Sequence, residues 1–330
     1  MKKTFLSLIA MIGSMAAYAV DANVVQVVYN GTTATVTIAS NISSYVTVSS
    51  GTSSHVVITQ SSDFAGVDAT SDNEDGEIYY VLSGSSSDGS LTLTGSYKCE
   101  IDLNGLTLAN TSGPALTILN GKRIAISSKS GTTNTLTDAA NDDYKGCIHV
   151  KGHTKLKGKG TLNVIGNSAH AIYSKEYVEV KNMTLNITAA QKDGIHCKEY
   201  FLMESGTVNI SGVGDDGIQC ELDSVSTGTK TDHEDEDSGN FYMENGTLTI
   251  SNYSGKAIKA DGSITYSGGK QNFDTSDVTE NAATGIETVK REPAIVNPCY
   301  DLSGRKVQGK AKGVYMIRKN DRNVKIISRE

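Results

Sequence analysis

Lys192-Asp193-Gly194-Ile195-His196-Cys197-Lys198 is one of five versions of a single phrase. Before it stand Lys145-Gly146-Cys147-Ile148-His149-Val150-Lys151 and Ala169-His170-Ala171-Ile172-Tyr173-Ser174-Lys175. After it come Asp215-Asp216-Gly217-Ile218-Gln219-Cys220-Glu221 and Gly255-Lys256-Ala257-Ile258-Lys259-Ala260-Asp261. The central isoleucines lie 24, 23, 23 and 40 residues apart, the last interval being one period plus a 17-residue polar insertion between Glu221 and Asn240. A second phrase runs in phase: Gly160-Thr161-Leu162-Asn163-Val164, Met183-Thr184-Leu185-Asn186-Ile187, Gly206-Thr207-Val208-Asn209-Ile210 and Gly246-Thr247-Leu248-Thr249-Ile250. Self-similarity at a fixed period in the low twenties is the mark of a solenoid.

Within each unit, apolar residues fall at i and i+2 in short runs rich in Ile, Val and Thr, separated by Gly, Asn, Asp and Ser. A period of two is strand geometry. No unit has room for a ten-residue helix, and the leucine offsets are not those of leucine-rich repeats. Stacking Ile on Ile about 4.8 Å apart gives parallel strands whose inward side chains bury against the next coil. The fold class read here is therefore all-β, a parallel β-helix. Each fully buried member of the ladder Ile148, Ile172, Ile195, Ile218 and Ile258 contributes roughly 1.5–3 kcal/mol.

Taken in order, residues 1–19 read as an export signal: Lys2 and Lys3, an apolar run from Phe5 to Met15, then Ala17-Tyr18-Ala19 before a mature chain beginning at Val20. The run is shorter than the roughly 20 residues a membrane span needs. No other segment is apolar enough to span, so a secreted protein, or one on the outer-membrane surface of a Gram-negative bacterium, is expected. The formal charge of −7 argues against a nucleic-acid partner, and 33 glycines suit a turn-rich β chain. Five cysteines are present. Cys197 and Cys220 share one repeat position and should point inward as reduced core residues, a bridge being the alternative. No CxxC or CxxH pair suggests a zinc site.

Residues 20–96 alternate as strands without a clear repeat and are expected to form the first coils or a β-rich cap over the open end. The acidic turn Asp72-Asn73-Glu74-Asp75-Gly76-Glu77 reads as a solvated loop or, alternatively, a calcium loop without the full EF-hand spacing. Residues 97–270 carry the regular coils. Residues 271–285 read as a polar linker, and 286–330 as a small, basic β module.

Asn134-Thr135-Leu136-Thr137-Asp138, the (Asp)-Gly-Ile phrases and the Gly-Thr-Leu-x-Ile phrases resemble a carbohydrate-binding β-helix family first described from a cellulosomal clostridium. The resemblance covers roughly residues 90–270. It implies a right-handed, calcium-containing parallel β-helix related in fold to polysaccharide lyases, with an acidic polysaccharide such as polygalacturonate as partner. It implies binding rather than catalysis, and fold alone does not fix the ligand. In the C-terminal module, Tyr300-Asp301-Leu302-Ser303-Gly304-Arg305-Lys306-Val307 and Lys312-Gly313-Val314-Tyr315 resemble the C-terminal sorting domain of Bacteroidota surface and secreted proteins. That resemblance implies export through the outer membrane; a plain accessory β domain is the alternative.

If the ladder isoleucines point in, His149, Tyr173, His196, Gln219 and Lys259 point out in one column, and Lys151, Lys175, Lys198, Glu221 and Asp261 in another. Lysine suits uronate carboxylates, and Tyr and His offer flat faces to sugar rings. The alternative is an ordinary solvated face. With no tryptophan in the chain, a charged groove is favoured over a flat cellulose platform. On the turns before the isoleucines, Asp193, Asp215 and Asp216 could share calcium or merely form Asx turns. The insertion, with Asp232, Glu234, Asp235 and Asp237, reads as a solvated loop or a further calcium loop.

Gly214-Asp215-Asp216-Gly217 resembles the paired aspartates of polygalacturonases, yet the Gly-His-Gly and Arg-x-Lys partners are missing and Gly152-His153 lies on the wrong side. A lyase would use a lysine near calcium, for which Lys192, Lys198 or Lys256 could serve. Non-catalytic binding is the reading favoured here. A lyase and a rigid adhesive rod are the alternatives.

Overall fold

The computed structural model describes residues 21–66, 76–140, 143–222 and 238–280, together with the backbone of four strands beyond residue 298. The expected signal segment, the acidic turn at 72–75 and the acidic insertion with Asp232, Glu234, Asp235 and Asp237 lie outside the described residues. The chain divides into two compact units, 1–283 and 284–330. Among the described residues no helix is long and apolar enough to cross a membrane.

The first unit is a parallel β-helix. One coil supplies three strands in succession, as in His170–Ser174, Val178–Lys181 and Thr184–Ala190, and each strand pairs in parallel with its counterpart one coil on. The ladder Ile148, Ile172, Ile195, Ile218, Ile258 stacks in register as the phrase spacing requires. Leu91 and Leu116 extend it on one side and Val278 on the other. All five isoleucines are fully buried. A second inward ladder holds Leu162, Leu185, Val208 and Leu248. A third holds Val178, Phe201 and Phe241, the two phenyl rings stacked at 5.2 Å and 13°. Cys197 sits on Cys220 in register, and both are buried free thiols, as expected of core residues.

Polar side chains hold the corners and the outer face. The Asn134 side chain, wholly buried, accepts the Leu106 N–H at 2.8 Å and donates to Ser128 Oγ at 2.9 Å, which gives the Asn-Thr-Leu-Thr-Asp phrase a structural role in closing its coil. On the outside of the third strand row, Asn209 donates to Asn186 and Asn186 to Asn163, each at 2.9 Å. Gly206 turns the corner before this row with φ of +102°, and an added Cβ would lie 2.5 Å from the Met183 carbonyl oxygen. Only glycine fits there without strain.

The described N-terminal residues are strands that pair with one another and with the coils. Val24–Asn30 and Thr33–Ile38 make an antiparallel hairpin whose first strand also pairs in parallel with Ile78–Ser86. His55–Gln60 already lies parallel to Ser90–Thr94, so coiling begins well before residue 97. At the other end, the linker expected from residue 271 does not begin there. Lys270–Asn272 and Val278–Glu280 add to the strand rows of the preceding coil. A polar composition misleads at this point because, among the described residues, no further strand pairs beyond Lys270–Asn272 and Val278–Glu280, and these strands carry exposed polar residues. The second unit has a four-stranded antiparallel sheet of Lys306–Val307, Cys299–Tyr300, Gly313–Lys319 and Arg322–Ser328.

Leu185→Ala removes a fully buried ladder residue flanked by Leu162 and Val208, and should lower unfolding free energy by about 2–5 kcal/mol in chemical denaturation. A loss below about 1 kcal/mol would contradict close packing at that rung.

Candidate functional site

The outward column is present in register: His149 beside Tyr173, Tyr173 beside His196, His196 beside Gln219, Gln219 beside Lys259. Its rings do not face solvent as expected. His149 stacks on Tyr173 at 5.1 Å and 20°, and Tyr173 on His196 at 5.5 Å and 24°. Tyr144 meets His149 edge-on, and Lys145 Nζ stands 5.4 Å over the Tyr173 ring. Side chains one coil apart are separated by the strand spacing, which brings rings into contact face to face. The faces are thus used along the column, and Tyr173 and His196 are each only 6 % exposed. A sugar can reach their edges but cannot lie flat on them.

The cations divide into two kinds. Lys151 and Lys175 are exposed at one end of the strand row, and Lys145 and Lys192 are exposed at the other. Lys198 and Lys259, expected to present free ammonium groups, are instead engaged: Lys198 Nζ lies 2.7 Å from Glu221 Oε1, and Lys259 Nζ 3.6 Å from Asp216 Oδ2. The second column changes sign from lysine to Glu221 and Asp261 along the axis, and the Lys198–Glu221 pair forms at that junction.

Beneath this face lies a buried polar chain. Asp193 Oδ2 is 3.0 Å from His170 Nδ1 and 2.9 Å from His196 Nδ1, and His196 Nε2 is 2.9 Å from Glu221 Oε2. Burial disfavours the charged form of Asp193, but its contacts with the two imidazoles outweigh that and hold it below the usual carboxylate range. Burial keeps His170 below the ordinary histidine value, with Asp193 opposing in part. Burial, followed by the Lys145 charge, brings His149 down to about 4. His170 was not singled out from the sequence, although it stands directly beside Gly146 in the repeat.

Asp193, Asp215 and Asp216 do come together, with ligand atoms within 4.8 Å of one another. Asp193 Oδ1 accepts the Asp216 N–H at 3.0 Å, so it braces the next coil rather than forming a local Asx turn. Asp216 Oδ1 accepts the Lys256 N–H at 2.7 Å. Asp216 Oδ2 is buried without a hydrogen-bond partner. Burial raises the Asp216 pKa, as do the charges of Asp193 and Asp215.

A neighbouring outward column escaped sequence reading altogether. His153 stacks on Tyr177 at 4.4 Å and 5°, and Tyr177 on Tyr200 at 4.8 Å and 24°. Arg123 donates to the Tyr177 hydroxyl at 2.9 Å, and the Tyr200 hydroxyl donates to Glu179 at 3.3 Å. Lys155 bridges Glu179 and Glu204 at 2.8 and 3.2 Å. The signal was the exact recurrence of Lys-Glu-Tyr at 175–177 and 198–200.

A family model described as carbohydrate-binding domain-containing protein matches residues 70–297. No curated protein matches the chain. Among solved structures, the polysaccharide lyase-like protein from C. thermocellum, in its gadolinium derivative, superposes with a TM-score of 0.56 over 79% of this chain and 97% of that one, at 19% identity. At that identity the likeness is one of fold.

The depressed His149 pKa carries a stability consequence. Between about pH 6.5 and 4 the unfolded chain binds a proton at this residue that the folded chain refuses, so acidification through that window destabilises the fold. His149→Phe keeps a ring in the stack and should flatten the fall in thermal midpoint between those pH values. An unchanged slope would show that His149 is not the group responsible.

Proposed function

The chain belongs to the carbohydrate-binding domain-containing family, and from that premise we propose that it is an exported, non-catalytic binder of uronate-containing polysaccharide, with polygalacturonate or pectin as the preferred ligand. The observation that carries this reading is the frame of exposed Lys145, Lys151, Lys175 and Lys192 around one strand face of a chain whose formal charge is −7. Ammonium groups at both ends of the strands suit carboxylates recurring along a polymer, and the closed ring stack between them leaves edge hydrogen bonds rather than a stacking platform.

Calcium is part of the same reading. Of the three expected aspartates, Asp193 gives Oδ1 to the Asp216 N–H and turns Oδ2 to the two imidazoles, so calcium falls to Asp215 and Asp216. Asp216 Oδ2, buried without a hydrogen bond and facing only Lys259 at 3.6 Å, is the kind of hard oxygen that calcium takes. When bound there it would neutralise the pair and offer open positions to water or a uronate carboxylate. Support for binding over lysis comes from the lysines themselves, since a general base must give up its proton. Lys256 is held protonated by its 2.7 Å contact with Asp277, and Lys198 is tied to Glu221.

Calorimetric titration with polygalacturonate should give heat in calcium and less in chelator, with no rise in the ultraviolet absorbance of unsaturated uronides. Lys175→Glu should weaken binding by about 1.5–3 kcal/mol, the range for a charge-assisted contact. Rising absorbance would make the protein a lyase, and unchanged affinity in the variant would remove the lysine frame from the ligand site. Export by the N-terminal segment and attachment through residues 286–330 belong to the proposal as well. Deleting 286–330 should abolish surface display in the native host, and undiminished display would refute the sorting role.

A further inference from the structure

We infer that His170, Asp193 and His196 form a site for a divalent first-row metal ion of the zinc class, separate from the calcium-binding oxygens and independent of the polysaccharide reading. The three ligand atoms lie within 4.8 Å of one another, and the residues are 6, 1 and 6 % exposed.

The argument is one of lone pairs. The Asp193 backbone N–H points at His170 Nδ1 from 3.3 Å, so that nitrogen presents its lone pair rather than a proton. The same nitrogen lies 3.0 Å from Asp193 Oδ2, which has only lone pairs to offer. His196 repeats the situation: a neutral ring that donates Nε2–H to Glu221 Oε2 at 2.9 Å turns the lone pair of Nδ1 toward the same Asp193 Oδ2, also at 2.9 Å. Protons on both Nδ1 atoms would satisfy Asp193 Oδ2, but only with a charged His196 and with the His170 N–H turned against the Asp193 backbone N–H. One cation among the three atoms resolves both.

The dimensions and surroundings suit such an ion. Zn–N bonds of about 2.0–2.1 Å and Zn–O bonds of about 2.0–2.2 Å place tetrahedral ligand atoms about 3.3 Å apart, a few tenths of an ångström beyond the 3.0 and 2.9 Å between Asp193 Oδ2 and the two nitrogens. Two imidazoles and one carboxylate favour a borderline transition metal over calcium, which takes oxygens. The 2.9 Å contact of Glu221 on the far nitrogen of His196 supplies the carboxylate that fixes a ligating ring's tautomer, and Lys198 holds Glu221 in turn at 2.7 Å. Three protein ligands leave a fourth position for water.

The test uses the full chain stripped with chelator and titrated with zinc and with cobalt(II). The expected result is one tightly held zinc per chain, undisturbed by excess calcium, and cobalt absorption bands of a four- or five-coordinate site. His170→Ala and His196→Ala should each abolish the cobalt bands. Glu221→Gln, at a half-exposed position, should keep the fold by circular dichroism and weaken zinc about 10–100-fold. A cobalt spectrum identical to that of the hydrated ion would overturn the site. So would zinc held as tightly by the variants as by the wild-type chain. Where an alanine variant fails to fold, Glu221→Gln decides: unchanged zinc affinity refutes the assignment, and the predicted weakening supports it.

Discussion

Parallel hydrogen bonding in register between successive coils is the constraint on which everything else depends. Because each strand sits one strand spacing from its counterpart, any residue type recurring at the repeat period becomes a column, whatever its chemistry. Apolar columns inside give the Ile148–Ile258 core, amides outside give the Asn163–Asn209 ladder, and aromatic rings give the His149–Tyr173–His196 stack. The same spacing that builds the face therefore also decides what it can bind. Rings one coil apart close on each other, whereas the lysines at the strand ends, free to diverge, remain open to solvent.

The carbohydrate-binding family and the lyase-like fold meet in this geometry without forcing a choice of chemistry. A β-helix face is a rail of repeated functional groups, suited to a ligand that also repeats. Lysis would require one group on that rail to differ sharply in proton affinity from its neighbours. Lys198, Lys256 and Lys259 are instead paired with Glu221, Asp277 and Asp216, while His149, His170 and Asp193, whose proton affinities are displaced, lie in or beside the column.

The fold was legible because the signal that sets it, the recurrence of Ile at 23 to 24 residues, is the physical cause of the stack. Register, inward ladders and the inward stacking of Cys197 on Cys220 follow directly from it. What was not legible depends on side-chain reach rather than period. The pairing of Lys198 with Glu221 and of Lys259 with Asp216 brings together residues from different coils whose charges look independent along the chain. The role of His170 was hidden because only its coil places a ring where the preceding coil has Gly146. The last coil read as linker because terminal strands lose the apolar alternation by which the others are recognised.

The stacked pair Phe201 and Phe241 has a consequence for how the chain finds its register. Near-identical repeats invite a coil to dock on the wrong neighbour, and the hazard is greatest where the insertion lengthens the excursion from 23 residues to 40. Closing the longer loop costs roughly 0.5 kcal/mol more in chain entropy. An aromatic pair in offset contact returns about 0.5–1.5 kcal/mol beyond its burial. No other junction in that ladder sets phenylalanine on phenylalanine. The longest of these repeat intervals thus closes on a rung whose residue match, phenylalanine on phenylalanine, a shift by one whole turn would lose.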